Sequence, residues 1–151
     1  EYNSFDVLPK HLQALYIKAK EACKNAYAPY SNFNVGAALL LDNDEIIVGN
    51  NQENAAYPSG LCAERTAIFY FGANYKGRFI KSIAVAATKD QKRFIEDISP
   101  CGGCRQVLSE YENIQNNPIE FLMPASNGKF IVHKSVKNFL PFEFNSIILN
   151  S

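Results

Sequence analysis

The sequence predicts a single α/β domain in which helices pack on a mixed five-stranded sheet. Its 151 residues are the length of one domain, and 47% hydrophobic with 20% charged residues is typical of globular proteins. An amphipathic helical pattern comes first, followed by two apolar runs joined by a short polar turn. Strand-like and helix-like segments then alternate, which favours helices packed on a sheet with some antiparallel pairing.

The chain begins with a predicted irregular arm, residues 1–7, followed by a helix. From residue 8 to residue 26, apolar side chains recur at steps of three and four, and Pro9 suits a first helical turn. Cys23 lies on the apolar face of this helix, so we expect a small buried hydrophobic side chain. His11 is expected on the exposed face, as a surface residue rather than a ligand.

A hairpin is predicted next. The apolar runs 33–41 and 45–50 read as strands, and the polar turn 42–44 joins them. The loop 51–60 that follows is rich in amide and carboxylate side chains. Composition alone leaves two interpretations of this loop, a solvated connection or a polar wall of a binding site.

The remaining elements alternate between helix and strand. Charged and polar connectors separate them, and the longest connector, 89–98, is predicted to be a loop. In chain order we predict a helix at 63–71, a strand at 80–88 and a helix at 104–111. Strands at 119–123 and 130–133 and a short helical turn at 135–139 follow. His133 alternates with apolar neighbours, so we expect a strand-face residue, and the aromatic residues of 140–144 are expected to be exposed.

Three of the four cysteines have the spacing of a metal site. Cys62 is followed two residues later by Glu64, and Cys101 and Cys104 form a Pro-Cys-x-x-Cys motif. Three thiolates occupy three of the four tetrahedral positions of Zn²⁺ and leave the fourth for water. A structural zinc site usually has four Cys or His ligands, whereas a catalytic site needs an open position and a group that moves protons. The pattern therefore predicts one catalytic Zn²⁺ per chain.

The sequence around these cysteines favours thiolates. Both motifs precede predicted helices, and a helix N-terminus stabilises a thiolate over a thiol. Cys101 and Cys104 are three residues apart and would share a helix face. Three thiolates and one Zn²⁺ carry a net charge of about −1, so we expect compensating positive charge from Arg65 and Arg105, which follow Glu64 and Cys104.

Charge and hydropathy argue against several other classes. The chain has 15 basic and 15 acidic residues and no Lys/Arg cluster, so we do not expect it to bind nucleic acid. We find no signal-peptide pattern and no apolar run near the ~20 residues of a membrane span, so no membrane association is expected. Metal-type spacing argues against two disulfides, and thiolate ligands need a reducing compartment, which favours the cytoplasm.

Four motifs, in order, resemble the small cytidine deaminases that act on free nucleosides. They are Tyr30-Ser31-Asn32-Phe33-Asn34-Val35-Gly36-Ala37-Ala38-Leu39, Asn51-Gln52-Glu53-Asn54-Ala55, Cys62-Ala63-Glu64-Arg65-Thr66 and Pro100-Cys101-Gly102-Gly103-Cys104-Arg105-Gln106. The zinc-deaminase signature often has His as its first ligand. Cys62 at that position resembles the three-cysteine, homotetrameric branch of the family. The resemblance covers about residues 8–144, with 1–7 as an arm before the domain and 145–151 as a tail after it.

The resemblance implies a role for each motif residue. Cys62, Cys101 and Cys104 would bind zinc, and Glu64 would shuttle protons. The resemblance also implies the substrate contacts: Phe33 would pack on the pyrimidine, and Asn51 and Glu53 would bind the ribose 3′-hydroxyl. The backbone N–H of Ala63 would bind the base carbonyl, and the Ser99 carbonyl would bind the amino group. Tyr57 would form part of the pocket wall. A C-terminal phenylalanine would cover the site of a neighbouring subunit, with Phe144 as the candidate and Phe142 as the alternative.

The activity implied by the resemblance is hydrolytic deamination of cytidine and deoxycytidine to uridine and deoxyuridine, with release of ammonia, in pyrimidine salvage. A deaminase of blasticidin S shares the zinc segments, but Asn51-x-Glu53 beside Phe33 favours a plain ribose. An editing deaminase acting on RNA or DNA is disfavoured by the zero net charge. A structural zinc module is disfavoured by Glu64 and by the lack of a fourth ligand.

Overall fold

A mixed sheet of six strands lies between two layers of helices in the computed structural model, which describes residues 1–149. The strands are β1 Phe33–Leu41, β2 Ile46–Asn50, β3 Ile80–Lys89, β4 Arg93–Phe94, β5 Glu120–Pro124 and β6 Phe130–His133. Their order is β2-β1-β3-β5-β6, with β4 paired to β3. Only the β3–β5 pairing is parallel among these strands; the others are antiparallel.

Four α-helices are present in the same described part of the chain. They are α1 Lys10–Ala22, α2 Ala63–Asn74, α3 Gly102–Gln115 and the short α4 Ser146–Leu149. The predicted first helix is shorter than expected, because Pro9 occupies the position before it and residues Cys23–Asn25 form a 3₁₀ turn. None of the helices of residues 1–149 is both long and apolar enough to cross a bilayer.

Alternating side chains of the sheet build two cores. Ala37, Leu39 and Leu41 of β1 pack with α2 and α3 on one face, whereas Ala38 and Leu40 pack with α1 on the other. The predicted α/β class is thus confirmed, with helices on both faces. The prediction for Cys23 is also confirmed, because its side chain is 1% exposed within the α1-side core.

The sheet has one more strand than predicted. β4 lies inside the segment 89–98, which the sequence predicted to be a loop. It consists of two residues that pair with the end of β3, and the Thr88 hydroxyl donates to the Arg93 carbonyl at 2.8 Å. Lys20 of α1 lies over the Phe94 ring at 4.3 Å. So short a strand has no hydrophobic period, and its existence depends on these contacts with distant residues.

The N-terminal arm is held against the outer edge of β6. Tyr2 and Phe130 exchange two backbone hydrogen bonds of 2.8 and 2.9 Å, and Lys129 forms an ion pair with Glu1 at 2.7 Å. The Phe5 ring packs against Phe130 and against Tyr16 of α1. The arm therefore covers part of a strand edge that would otherwise present free backbone groups to solvent.

Candidate active site

The N-termini of α2 and α3 meet at one end of the sheet and carry the three predicted zinc ligands. Cys62 is the residue before α2, and Cys101 is the residue before α3; both have extended backbone angles. Cys104 lies in the first turn of α3 and is completely buried. The sequence spacing predicts that Cys101 shares a helix face with Cys104. In the structure Cys101 instead occupies the position before the first residue of α3.

The sulfur positions fit a tetrahedral metal. The Sγ–Sγ distances are 3.7 Å between Cys62 and Cys101 and 3.5 Å between Cys101 and Cys104. All three sulfur atoms lie within 4.8 Å of one another. Tetrahedral zinc with Zn–S bonds of about 2.3 Å separates its sulfur ligands by roughly 3.8 Å. These thiols can therefore hold Zn²⁺ and leave one coordination position toward the cleft.

The electrostatics of the cluster favour one thiolate at Cys62. Hydrogen bonding with Cys104, and then with Arg65, lowers the pKa of Cys62 to about 5. The hydrogen bond with Cys62, together with burial, raises the pKa of Cys104 above its ordinary value. Arg65 Nη2 lies 3.6 Å from the Cys62 sulfur, and its Nε is buried with no hydrogen-bond partner among residues 1–149. This guanidinium is placed to offset the negative charge of a zinc–thiolate cluster.

Arg105 has a different environment from Arg65. Its Nε donates to the Pro100 carbonyl at 2.7 Å, and its two terminal nitrogens contact the Phe139 carbonyl and the Ser99 hydroxyl at 3.4 Å each. These contacts direct the guanidinium to the loop before Cys101 and to the C-terminal part of the chain. These three contacts are to oxygen atoms, whereas Arg65 contacts the Cys62 sulfur directly. Charge compensation by Arg105 stays a prediction.

Glu64 lies in the first turn of α2 and is 5% exposed. Its side chain faces the same cleft as Cys62 and Cys101. Burial raises the pKa of this carboxyl group, with the charge of Cys62 acting in the same direction. A buried carboxyl whose pKa is raised can exchange a proton with a bound reactant, because its two protonation states are closer in free energy at neutral pH.

A cleft of about 800 Å³ opens in front of the thiols. Its size suits a small-molecule ligand. Nine of the predicted site residues line it, namely Phe33, Asn51, Glu53, Tyr57, Cys62, Glu64, Arg65, Ser99 and Cys101. Of the other predicted residues, Ala63 and Cys104 are buried behind the cleft wall. Arg105, Phe142 and Phe144 are not part of the lining.

Asn51 and Glu53 are both bound to the segment that carries Phe33. The Asn51 amide accepts from the Val35 N–H at 2.7 Å and donates to the Phe33 carbonyl at 2.9 Å. The Glu53 carboxylate accepts from the Tyr30 N–H at 2.9 Å and from both the N–H and the hydroxyl of Ser31. The Ser31 hydroxyl is the main cause of a lowered pKa at Glu53. Glu53 is therefore a carboxylate held in a fixed orientation at the cleft.

The sequence analysis did not identify Tyr30 and Ser31 as site residues, although both belong to the first deaminase-like motif, residues 30–39. The Ser31 hydroxyl accepts from the Phe33 N–H at 3.0 Å while it donates to Glu53, so it connects the two. The Tyr30 ring packs edge-on against Tyr57 at 5.9 Å between centroids. Tyr57 is 75% exposed at the mouth of the cleft. Only the three-dimensional position of these side chains reveals their contribution.

The sequence profile described as "Cytidine and deoxycytidylate deaminase zinc-binding region" matches residues 9–118, which include all three thiols and Glu64. The chain belongs to this deaminase family. The family assignment confirms the predicted zinc-dependent deaminase, and the thiol cluster provides the zinc site that it requires.

Individual members of the deaminase family resemble the chain over most of its length. A cytidine deaminase of Halalkalibacterium halodurans is 47% identical over 98 residues, which are 65% of this chain and 70% of that protein. A crystal structure of cytidine deaminase from Burkholderia pseudomallei superposes with a TM-score of 0.74 at 38% identity, covering 91% of this chain and all of that one. Blasticidin-S deaminase of Bacillus cereus is more distant, at 30% identity over 112 residues, 73% of this chain and 76% of that protein.

Proposed function

We propose that this protein hydrolyses cytidine and deoxycytidine to uridine and deoxyuridine with release of ammonia. One observation carries the proposal: a cluster of three thiols spaced for Zn²⁺ adjoins a cleft of about 800 Å³ that a buried glutamate also lines. Within the family, the three-thiol site and Glu64 correspond to the zinc-deaminase signature.

Zn²⁺ held by Cys62, Cys101 and Cys104 would supply an acidified water at the open coordination position. Glu64 accepts a proton from the attacking water and delivers it to N3 of cytosine, which makes C4 more electrophilic. After the attack, the carboxylate takes the second water proton from the hydroxyl group now on C4 and passes it to the amino group. The C4–N bond then breaks, the C4 carbonyl forms and ammonia leaves. Because Glu64 is buried, it exchanges these protons with the substrate rather than with bulk solvent.

Backbone groups at the helix starts orient the base. Ala63 is the first residue of α2, where an N–H has no partner within the helix and is free to donate to the base carbonyl. The Ser99 carbonyl, in the loop before Cys101, accepts from the amino group of the substrate. Arg105 binds both Ser99 and Pro100, so it fixes this loop. The Phe33 ring packs on the pyrimidine.

Asn51 and Glu53 bind the ribose 3′-hydroxyl in this proposal. A carboxylate at the cleft suits an uncharged sugar better than a phosphate. Arg65 is the only basic residue in the cleft lining of the described chain, and it is engaged with the Cys62 sulfur. We therefore infer that free nucleosides are preferred over the corresponding 5′-monophosphates.

A homotetramer with shared active sites belongs to the same proposal. Phe142 is 97% exposed and Phe144 is 54% exposed, and neither contributes to the cleft of its own chain. A large exposed aromatic side chain with no apolar environment favours burial at an interface. In this arrangement Phe144 covers the cleft of a neighbouring subunit and excludes water from it. The thiolate ligands favour a reducing compartment, and we propose the cytoplasm.

The test is the loss of ultraviolet absorbance when cytidine, deoxycytidine, cytidine 5′-monophosphate and blasticidin S are offered in parallel. Both nucleosides should be deaminated faster than the other two compounds. A preference for blasticidin S would instead favour the antibiotic deaminase, which is the more distant relative.

Glu64→Gln provides the matched control for this assay. The amide is isosteric with the carboxyl group but cannot accept the proton of water, so we expect retained fold and zinc with a rate loss of at least ~10²–10⁴-fold. Circular dichroism and metal analysis check the fold and the zinc. Activity within about tenfold of the parent would contradict a general acid–base role.

A further inference from the structure

We propose that Glu143 is a positioning residue that anchors the C-terminal segment, residues 140–145, to the zinc-bearing helix α3. In this position the segment presents Phe144 to the partner subunit's cleft. The inference rests on the shared site of the proposed function and adds to it the device that places the covering residue.

Side chains of α3 converge on the Glu143 carboxylate. Ser109 is completely buried, and its hydroxyl donates to Glu143 Oε2. The Asn113 amide lies 3.4 Å from both carboxylate oxygens, and Asn145 donates to Oε1 at 3.1 Å. The Ser109 hydrogen bond is the main cause of a lowered pKa at Glu143, so the carboxylate is ionised at neutral pH. Within residues 1–149, Glu143 is the acceptor that the Ser109 hydroxyl has, and a buried hydroxyl bound to a carboxylate of a distant segment fixes that segment in one position.

Two further side chains of α3 hold the backbone around Glu143. Gln106 donates from Nε2 to the Phe144 carbonyl at 2.7 Å, and Arg105 contacts the Phe139 carbonyl at 3.4 Å. Gln106, Ser109 and Asn113 are spaced by three and four residues, so they lie along one face of the helix. Gln106, the first of these residues, follows Cys104 by two positions in α3. Two of the three predicted zinc ligands, Cys101 and Cys104, and the attachment of residues 140–145 are therefore carried by the same helix.

The anchored carboxylate determines where the neighbouring aromatic residues lie. Glu143 is turned toward α3, whereas Phe142 and Phe144 on either side of it remain 97% and 54% exposed. Residues 140–145 form no helix or strand, so hydrogen bonds to their side chains and carbonyls must replace regular secondary structure. Ordering such a segment in advance reduces the entropy lost when its aromatic residue enters a neighbouring site.

The first experiment measures the anchor directly. Glu143→Ala should increase amide hydrogen–deuterium exchange in residues 142–146, because the segment loses its attachment to Ser109 and Asn113. Glu143→Gln keeps an acceptor oxygen and should give an intermediate result. Glu110→Ala removes a carboxyl group from the same helix one residue after Ser109, and we expect no change in exchange at 142–146. Equal exchange in the parent and in Glu143→Ala would overturn the anchor.

The second experiment tests whether the anchor acts on the partner's site. Glu143→Ala should lower kcat/KM for cytidine by about tenfold, the scale of one hydrogen-bonded charge, with zinc content unchanged. Mixed oligomers of Glu143→Ala with Glu64→Ala should regain activity per intact site, because Glu64→Ala subunits donate a well-placed Phe144. A purely structural defect in the Glu143→Ala subunit would not be rescued in this way, and the absence of rescue would overturn the proposal.

The two proposals fail in different ways. If the parent does not deaminate cytidine, the proposed function is wrong, and the exchange measurement still decides whether Glu143 anchors the segment. If the parent is active and Glu143→Ala matches it in kcat/KM, the proposed function stands and the positioning role of Glu143 is wrong.

Discussion

The zinc ligands illustrate how individual residues reach one point from distant parts of the sequence. Cys62 and Cys101 are 39 residues apart, yet their sulfur atoms lie 3.7 Å from each other. Both have extended backbone angles and occupy the position before a helix, next to the free N–H groups of its first turn. The charge of three thiolates is thus placed where the helix dipoles favour it.

Removing any one of these thiols should remove the zinc. We expect Cys62→Ala, Cys101→Ala and Cys104→Ala to lose most of their metal, because two thiolates leave the ion with half of its coordination positions unfilled. Metal analysis of the purified proteins is the measurement, and Cys23→Ala is the control, since Cys23 lies in the α1-side core. A cysteine variant with one full equivalent of zinc would exclude that residue from the ligand set.

Ribose recognition can be separated from zinc chemistry at Glu53. Glu53→Gln keeps an acceptor for the Tyr30 and Ser31 N–H groups but weakens binding of a sugar hydroxyl. The parent should reject 3′-deoxycytidine strongly, because a site built for a hydroxyl leaves its polar groups unpaired without one. We expect the cytidine to 3′-deoxycytidine ratio of kcat/KM to fall at least about tenfold in the variant.

Asn51→Ala should do more than lower that ratio. Its amide joins Phe33 and Val35 at the start of β1, so its loss should also reduce stability. Thermal unfolding distinguishes the two variants. A ratio unchanged from the parent in both would mean that Asn51 and Glu53 only shape the loop.

At the scale of elements, glycine residues set how closely the helices approach the sheet. A Cβ atom on Gly49 of β2 would lie 2.5 Å from the Ala67 nitrogen and 2.7 Å from the Ala63 carbonyl oxygen. α2 therefore contacts β2 with no space for a side chain between them. This contact fixes the height of the α2 N-terminus, which carries Cys62 and Glu64, above the sheet.

Gly49→Ala should displace α2 and disturb the site from a distance. The clash involves backbone atoms, so we expect a loss of stability of about 1–3 kcal/mol and a reduced zinc occupancy. Val48→Ala is the matched control, because Val48 is an exposed residue of the same strand and should change stability by about 0.5 kcal/mol or less. Thermal unfolding and metal analysis of both variants give the comparison. Parent-like values for Gly49→Ala would show that α2 can move without cost.

At the scale of the whole molecule, the cleft in front of the thiols is open to solvent on one side. The chain's own C-terminal aromatic residues lie elsewhere, on the segment bound to α3. An assembly in which each subunit completes another's site accounts for both observations. The mass of the protein in solution is the first property to measure, and the mass of a monomer would contradict the shared site.

Mixed oligomers can show which of Phe144 and Phe142 covers the neighbouring cleft in that assembly. Phe144→Ala has intact zinc chemistry but donates no covering ring, whereas Glu64→Ala has an inactive site and can still donate one. Hybrids of the two should be more active than the average of the separate variants. If Phe142→Ala shows this rescue and Phe144→Ala does not, the covering residue is Phe142. Simple averaging in both mixtures would contradict the shared site.

The sequence by itself determined the elements and the chemistry that depend on local pattern. A helical hydrophobic period located the first helix, and short apolar runs located the five longer strands, because burial on one face imposes a period and burial on both faces a continuous run. The thiol spacing with Glu64 predicted zinc and an open coordination position, because ligand number and type follow from the metal. Each pattern consists of residues close together in the chain, and the zinc prediction combines two such patterns, one at Cys62 and one at Cys101 and Cys104.

Only the tertiary structure decided the features that depend on distant contacts. The β4 strand, the pairing of Tyr2 with Phe130, and the attachment of Arg105 to backbone carbonyls have no local signature. The same is true of the Ser31 hydroxyl on Glu53 and of Ser109 on Glu143. A side-chain hydrogen bond depends on position and orientation to within about an ångström. Those are fixed when the helices and strands pack, so a residue's neighbours in sequence do not predict them.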